Sequence, residues 1–345
     1  MGVSTPVSAR WMPGGWEASH LHQGGVLPTA PGRRSGVMKD AVSHRDSDGP
    51  RPVRPVVVAT DGSVDARAAL VWAAGWAAEQ QLSLRVLAAH AVTTAHIPLL
   101  PRMAARARHD LDDDLASVCR DRPGLVVDRA VVWDNPASAM VSASRAATAV
   151  VLTGPADQPW KQTAMASTSA TVAAHARCPV IAVPHGHVDG WKPPRRVVLG
   201  LDGSPESAEA GEFAFAQAAR WSAPLSAVHA LDMPSLMSSW SSGPLLGSDQ
   251  GQLTAELDAA LLAAKQRHPT VDACISLVPG APGAVLRELS EPGSLLVVGS
   301  RGLGGFTGLM LGSFSRTALQ ASRCPIAVVR AGDLDPSTRA AGETP

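Results

Sequence analysis

The sequence predicts two tandem α/β domains, each a five-stranded parallel sheet with helices on both faces. Short apolar runs alternate with helical segments five times in each half of the chain, which is typical of a doubly wound sheet. Landmarks of the first half recur in the same order in the second half, which indicates an internal duplication. The 345 residues are enough for two hydrophobic cores.

The composition argues against several classes of function. The 30 basic and 30 acidic residues cancel, so no excess of positive charge indicates a nucleic-acid partner. Neither a membrane-length apolar run nor a signal-peptide pattern is present. The cysteines (Cys119, Cys178, Cys274 and Cys324) lack the paired spacing of a zinc site and are expected to be buried, reduced thiols. We therefore expect a cytoplasmic protein that engages neither nucleic acid nor a membrane.

The first half begins with a tail and continues as a strand and helix pattern. Residues 1–52 lack hydrophobic periodicity and are rich in Gly, Pro and Ser, so they are predicted to be disordered. Residues 55–60 read as a buried strand that ends in Asp61-Gly62-Ser63, where Ser63 would cap the next helix. The other predicted elements are strands 84–90, 125–132, 149–153 and 180–183, and helices 104–120, 136–146 and 164–176.

The second half repeats this pattern after a proline-containing linker at 186–194. The matched landmarks are Asp61-Gly62-Ser63 with Asp202-Gly203-Ser204, His90-Ala91 with His229-Ala230, and Arg177-Cys178-Pro179 with Arg323-Cys324-Pro325. The predicted domains are therefore 53–185 and 195–331, followed by a disordered tail at 332–345. Each is expected to be Rossmann-like with a flavodoxin-like strand order, in which the first and fourth strands end at the ligand-binding crevice.

The fourth strand of the second half leads into a glycine-rich segment. The apolar run 295–298 ends at Gly299, and Gly302, Gly312 and Ser313 follow at fixed spacing. Glycines here would let backbone amides approach a ligand, and a helix that begins at Ser313 would aim its free amides into the same pocket. This arrangement predicts a phosphate cradle, although it is neither a P-loop nor a G-x-G-x-x-G motif. The alternative is a glycine-rich turn with a purely structural role.

This spacing, Gly-x2-Gly-x9-Gly-[Ser/Thr], resembles the nucleotide-binding signature of the universal stress protein family. The resemblance covers both repeats, roughly residues 53–331. It implies that the second repeat binds ATP, with Mg²⁺ or Mn²⁺ held mainly by the phosphates and water. It also implies a stress-linked regulator with an unidentified protein partner. Strand five commonly joins domains in this family, so residues 180–183 should pair with 326–329 to make a pseudo-dimer, and a homodimer is left open.

The family resemblance also assigns roles to individual residues. Asp202, in the turn with Gly203 and Ser204, would contact the nucleoside end of ATP, although it could instead only support that turn. The backbone at Ala230 would face adenine.

Residues around the cradle add further candidates. Arg301 could face the triphosphate oxygens or simply be solvated, and Ser313 and Ser315 could offer groups to phosphate. His229 and its counterpart His90 are expected to be packed histidines and not catalysts.

The first half departs from the signature. Gly154 is matched with Gly299, which places Asp157 opposite Gly302, where a carboxylate would repel phosphate. Gly312 is then opposite Ser167, or opposite Ala166 if the loop is one residue shorter. The first repeat is therefore expected to have lost the nucleotide. A slow ATPase or phosphotransferase remains an alternative function, as does a non-binding dimerisation module, but no Walker lysine or convincing base is found.

Overall fold

A computed structural model describes residues 54–91, 94–154, 165–187, 191–231, 246–302 and 311–334. Asp157 and the predicted tail 1–52 lie outside the described residues, as do 335–345 of the second tail. Residues 332–334, predicted to belong to that tail, instead form part of a turn. The boundary is wrong there because Leu334 is apolar and buries its side chain, which is 7% exposed, against the core.

The described residues form ten strands and eight α-helices, which alternate along each repeat. The strands are β1 Val56–Thr60, β2 Leu84–Ala89, β3 Val127–Val132, β4 Ala149–Thr153, β5 Val180–Val183, β6 Arg196–Gly200, β7 Leu225–Leu231, β8 Ala273–Pro279, β9 Ser294–Gly299 and β10 Ile326–Val329. The helices are α1 Val64–Glu79, α2 Leu100–Asp121, α3 Pro136–Ala143, α4 Met165–His175, α5 Pro205–Trp221, α6 Leu246–Arg267, α7 Pro282–Leu289 and α8 Ser313–Ala321. Short 3₁₀ helices occur at Thr94–Leu99 and Ser144–Ala146.

Within the described part of the chain, the strands form one continuous sheet in the order β3-β2-β1-β4-β5-β10-β9-β6-β7-β8. The α/β class and the parallel five-stranded repeats are confirmed. The flavodoxin-like strand order is wrong, because the third strand of each repeat lies outside the second strand. Burial explains this arrangement. Strand β4 is almost fully buried and suits the centre of a sheet, whereas β3 carries exposed Asp128 and suits an edge.

The two repeats are joined through their fifth strands, as predicted. Strands β5 and β10 run antiparallel, with Ala182 opposite Ile326 and Val180 opposite Val328. All eight residues of these two strands are buried. Pairing therefore removes the edge that each repeat would expose alone, and the chain is a pseudo-dimer.

Helices cover both faces of the sheet and enclose two cores. Helices α1, α2, α5 and α6 pack on one face, while α3, α4, α7 and α8 pack on the other. The first face carries an aromatic seam between the repeats, in which Trp76 Nε1 donates to Gln217 Oε1 at 2.9 Å. Trp191 of the linker makes a T-shaped contact with the ring of Trp72 and packs over Gly75. Trp191 of the linker is thus part of the packed structure.

Candidate functional site

The crevice of the second repeat opens where β6 and β9 end side by side. Asp202, Gly203 and Ser204 follow β6, and Ser300 to Gly302 follow β9. The two segments touch, since Ser204 Oγ lies 3.4 Å from the carbonyl oxygen of Arg301. The structure therefore brings together the aspartate turn and the first part of the glycine segment, as the sequence predicts.

One oxygen of Asp202 supports the turn. The Ser204 amide and hydroxyl both donate to Asp202 Oδ1, at 3.0 and 2.6 Å. Gly203 has a φ of 81°, a left-handed conformation that favours glycine. Ser204 Oγ also accepts from the Ser207 amide at 3.1 Å and caps α5. The turn-supporting role is therefore present at Oδ1, and a ligand contact would fall to Oδ2.

The glycines of the cradle stand at close approaches. A Cβ on Gly299 would lie 2.9 Å from the Glu206 carbonyl carbon, so glycine lets the first turn of α5 pack on the end of β9. A Cβ on Gly302 would lie 2.2 Å from Asp202 Oδ2. Gly299 is therefore explained by helix packing, whereas the lack of a side chain at Gly302 leaves room for the Asp202 carboxylate.

Helix α8 starts at Ser313, as predicted, and its N-terminus lies against the same segment. The Gly312 amide donates to the Ser300 carbonyl at 2.8 Å, which closes the two ends of the cradle together. Gly312 is the N-cap residue, so no side chain caps the helix. The first amides of α8 have no acceptor within the helix, and they make the cradle attractive to an anion.

Two serines of the cradle differ in what they can do. Ser315 is 1% exposed, and its hydroxyl donates to the Gly299 carbonyl at 2.6 Å, which gives it a structural task. Ser300 is fully buried, and its hydroxyl has no hydrogen-bond partner among the described residues. A buried hydroxyl without a partner is costly, so Ser300 is a candidate for a ligand contact. Sequence reasoning missed Ser300, although its position directly after Gly299 was a usable signal.

Two arginines lie beside this segment, each with an acidic neighbour. Arg301 Nε lies 3.3 Å from Glu206 Oε1, so part of its charge is balanced by α5. Arg330, directly after β10, donates through Nη2 to the carbonyl of Ala174 in the first repeat. Burial lowers the pKa of the Arg330 guanidinium; the Asp333 charge acts in the opposite direction, and the charges of Arg301 and Arg177 lower the pKa further. Sequence reasoning missed Arg330 because it lies outside the glycine motif.

The acidic partner of Arg330 comes from the C-terminal turn. The Arg330 amide donates to Asp333 Oδ2 at 3.0 Å. Burial raises the pKa of the Asp333 carboxyl to about 6, although the Arg330 amide, Arg330 charge and Arg177 charge act in the opposite direction. The turn therefore places the carboxyl group of Asp333 beside charged groups of both repeats.

The second-strand residues of the crevice are in the expected places. Ala230 lies in β7 opposite Val278, and its side chain packs against the apolar core. His229 Nδ1 lies 2.9 Å from the Leu201 carbonyl, so it is a packed histidine. His90 follows β2 and contacts Trp133 with ring centroids 5.4 Å apart. Both histidines therefore have structural surroundings.

The strand ladder corrects the match between the repeats. Thr153 pairs with Val183, and Gly299 pairs with Val329 at the same place in the second repeat. The amides of Gly154 and Ser300 then donate to those two valines, both at 2.7 Å. Thr153 is thus the equivalent of Gly299 in the first repeat, so the predicted match of Gly154 with Gly299 is wrong by one residue.

The corrected register needs no deletion in the loop. Thr153 and Gly299 are 146 positions apart, and so are Cys178 and Cys324. At the same spacing of 146 residues, the equivalent of Gly302 is Ala156 and not Asp157, and the equivalent of Gly312 is Ala166. The first repeat therefore lacks all three cradle glycines. The match predicted from the sequence is wrong because it aligns two glycines that occupy adjacent positions in the fold.

The crevice of the first repeat has a different character. A cavity of about 170 Å³ opens beside Asp61 and Thr153 and is lined mainly by apolar side chains such as Leu87 and Met140. None of its described lining residues carries a positive charge. Arg67 of α1 instead bonds the buried Asp114 through Nε and Nη2, at 2.9 and 2.6 Å. This chemistry does not suit a triphosphate.

The described residues give little support for a reactive buried thiol, a metal site or a membrane-spanning helix. Burial raises the pKa of the Cys324 thiol to about 11 and also raises that of Cys178, so both are protonated at neutral pH. Cys274 is exposed, which contradicts the prediction of burial, because it is on the outward side of the edge strand β8. In the described ranges, no cluster of three or more His, Cys, Asp or Glu side chains could hold a metal ion. No described helix is both long and apolar enough to cross a membrane.

Known proteins resemble this chain over most of its length. The model of the universal stress protein family matches residues 52–184 and again 194–330. A universal stress protein of Mycobacterium tuberculosis is 32% identical over 295 residues, which cover 81% of this chain and 98% of that protein. One of Mycolicibacterium smegmatis is 30% identical over 291 residues, or 80% and 96% of the two chains.

Solved structures give the same fold. A universal stress protein from Archaeoglobus fulgidus superimposes with a TM-score of 0.58 at 17% identity, covering 81% of this chain and 97% of its own. A protein described as a putative universal stress protein from Pseudomonas aeruginosa gives a TM-score of 0.52 at 15% identity, covering 85% and 99%. The two family matches in tandem, the relatives of similar length and the shared fold lead to one conclusion: the chain belongs to the universal stress protein family.

Proposed function

We propose that the protein binds ATP through its second repeat and acts as a nucleotide-linked regulator of a stress response. Family membership supports the stress-related role. The observation that carries the ligand is the cradle itself, in which Gly302 has no room for a Cβ beside Asp202. The buried Ser300 hydroxyl, which has no partner among the described residues, and the uncapped start of α8 add donors for phosphate at the same place.

Different residues would contact different parts of ATP. The triphosphate would be held by the Gly302 backbone, the Ser300 hydroxyl and the first turn of α8 at Ser313, with Arg301 supplying charge. Asp202 would use Oδ2 for a hydroxyl of the nucleoside, and the backbone at Ala230 would face adenine. A divalent cation, Mg²⁺ or Mn²⁺, would neutralise the phosphates and take most of its ligands from them and from water.

The first repeat serves a different purpose in this proposal. Its Thr153, Ala156 and Ala166 replace the three cradle glycines, and its crevice lacks a described cation. It retains the β5 edge that pairs with β10, and this supports a role as a dimerisation module within the chain. We therefore expect one ATP for each chain.

Calorimetric titration with ATP and Mg²⁺ tests the proposal with a matched pair of variants. Asp202→Ala removes one charge-assisted contact, worth about 1.5–3 kcal/mol, and should weaken binding about tenfold to a hundredfold. Asp61→Ala makes the same change in the first repeat and should leave the affinity unchanged. Circular dichroism verifies that both variants are folded.

Two outcomes would refute the proposal. One is a stoichiometry of two ATP molecules for each chain, and the other is an equal loss of affinity in Asp61→Ala and Asp202→Ala. Mass spectrometry of any ligand retained after purification provides an independent identification. Steady-state ADP release in the same samples distinguishes a binder from a slow ATPase, for which efficient turnover would require a positioned base.

A further inference from the structure

A second cavity, of about 230 Å³, opens at the junction of the two repeats. It lies beyond the crevice of the first repeat, beside the end of β5 and the start of β10. The first repeat contributes Pro184 and His185 to its lining, and the second contributes Arg287, Gln320 and Arg323. None of these groups belongs to the nucleotide crevice of the second repeat.

The pseudo-equivalent place on the other side of the junction is filled by the chain itself. At the spacing of 146 residues, Pro184 corresponds to Arg330 and Gln320 corresponds to Ala174. Arg330 reaches across the junction and donates to the Ala174 carbonyl. Proline has neither the length nor the charge for such a contact. The cavity therefore exists because the first repeat ends in Pro184 where the second ends in Arg330.

The two places also differ in their negative charge. Arg177 corresponds to Arg323, and the charge of Arg177 acts on the carboxylate of Asp333, which belongs to the turn after Arg330. At the open cavity, Arg323 and Arg287 form no ion pair with any described residue. The filled place thus has a carboxylate whose charge interacts with Arg177, whereas no described carboxylate pairs with Arg323 or Arg287 at the open one.

The remaining charges near the cavity are smaller or already balanced. His185 Nδ1 lies 2.7 Å from Asp65 Oδ2, which balances the Asp65 charge, whereas His185 Nε2 is buried without a hydrogen-bond partner among the described residues. Helix α8 ends at Ala321 beside the cavity, and its C-terminus carries about half a negative charge. Two guanidinium groups outweigh this partial charge, and their planar forks suit an oxyanion.

We propose that this junction cavity binds a small oxyanion, which Arg323 and Arg287 hold. The volume accommodates a phosphate or carboxylate group with its water. The site is independent of the ATP proposed for the second repeat, because it shares no residue with that crevice.

Inorganic phosphate is the probe, titrated into the full chain at constant ionic strength while the arginine Nε–Hε signals are followed by NMR. We expect one saturable site that shifts the signals of Arg323 and Arg287. Arg323→Gln should weaken phosphate binding at least about fivefold, since one charge-assisted contact is lost. Pro184→Arg should abolish binding, because the new side chain fills the cavity as Arg330 fills its counterpart.

The matched control is Arg177→Gln, which changes the equivalent arginine where Asp333 is already present and should leave phosphate affinity within about twofold. Arg301→Gln, at the proposed phosphate end of the nucleotide crevice, should likewise have no effect on this site. The proposal is overturned if phosphate produces no saturable shift, or if Arg177→Gln weakens binding as much as Arg323→Gln. It is also overturned if only Arg301→Gln abolishes the shift, since phosphate would then occupy the nucleotide crevice.

Discussion

The contact between Gly302 and Asp202 gives the most direct test of the cradle. In Gly302→Ala, the new Cβ would lie 2.2 Å from Asp202 Oδ2, about 1 Å short of a normal non-bonded contact. The nearest atom belongs to a side chain whose other oxygen is held by two hydrogen bonds from Ser204. The carboxylate must therefore rotate, and those bonds must lengthen or break.

The cost follows from what the carboxylate loses. Hydrogen bonds to a charged acceptor contribute about 1.5–3 kcal/mol each when well formed. Asp202 is only partly buried, so water replaces some of the lost hydrogen bonding. We therefore expect the free energy of unfolding to fall by about 1–3 kcal/mol. ATP affinity should fall by about tenfold or more, because the same movement takes Oδ2 away from the nucleoside.

A double-mutant cycle isolates this effect. Urea unfolding and ATP calorimetry are measured for Gly302→Ala, Asp202→Ala and the double variant. Without the carboxylate, the added methyl group has nothing to displace, so Gly302→Ala should cost no more than about 0.5 kcal/mol in the Asp202→Ala background. Gly312→Ala is the control for the unfolding measurement alone, because its Cβ would be 3.4 Å from the nearest atom outside its chain neighbours, Arg301 Cα, and its φ is −66°.

The reasoning would be wrong if Gly302→Ala destabilised the protein equally with and without the Asp202 carboxylate. It would also be wrong if Gly302→Ala left both stability and ATP affinity unchanged. In the first case the glycine would be required by the backbone, and in the second the carboxylate would move freely. Either result removes the steric basis of the proposed site.

Three further predictions concern the rest of the molecule. The fragment 195–334 exposes β10 and should dimerise or aggregate, so a stable monomer in light scattering would contradict the pseudo-dimer. Gly75→Ala places a Cβ 1.9 Å from the Trp191 ring and should destabilise the chain by about 1–3 kcal/mol, whereas Gly251→Ala in the open helix α6 should slightly stabilise it. Folding raises the pKa of Asp333 from 3.8 to about 6, so its contribution to stability decreases as pH rises through this window. Asp333→Asn keeps an acceptor for Arg330 and should be more stable than the wild type by about 1–2 kcal/mol above pH 6, and an unchanged pH profile of urea unfolding would contradict this.

Local signals in the sequence were sufficient for much of the fold. Ser63 and Ser204 cap the helices they were predicted to cap, and α8 begins at Ser313. The pairing of β5 with β10 was also predicted correctly. These features depend on short-range chemistry or on a fully buried strand, and both leave a clear pattern of residue types.

The parts that were wrong or missed depend on which distant residues become neighbours. In the sequence, the edge position of β3 shows only as a slightly more polar composition than that of the central strands. The strand order can be predicted only by comparing the polarity of the strands with one another. The register of the first cradle was misjudged because Gly154 lies one place beyond Thr153, and only the ladder to Val183 separates them. Arg330 could not be found from the motif, because β10 alone brings it beside Arg301.

The junction explains why a repeat without cradle glycines still matters to the proposed site. Pairing of β5 with β10 brings the C-terminal end of α4 beside the end of β10, where the Ala174 carbonyl accepts from Arg330. That contact fixes a guanidinium close enough to Arg301 for their charges to interact. Glu206 and Asp333 balance part of this positive charge, and the first repeat, by fixing Arg330, stabilises the charge distribution that phosphate would meet. The second repeat supplies the amides and hydroxyls of the cradle, and the first repeat helps to position the charge at its edge.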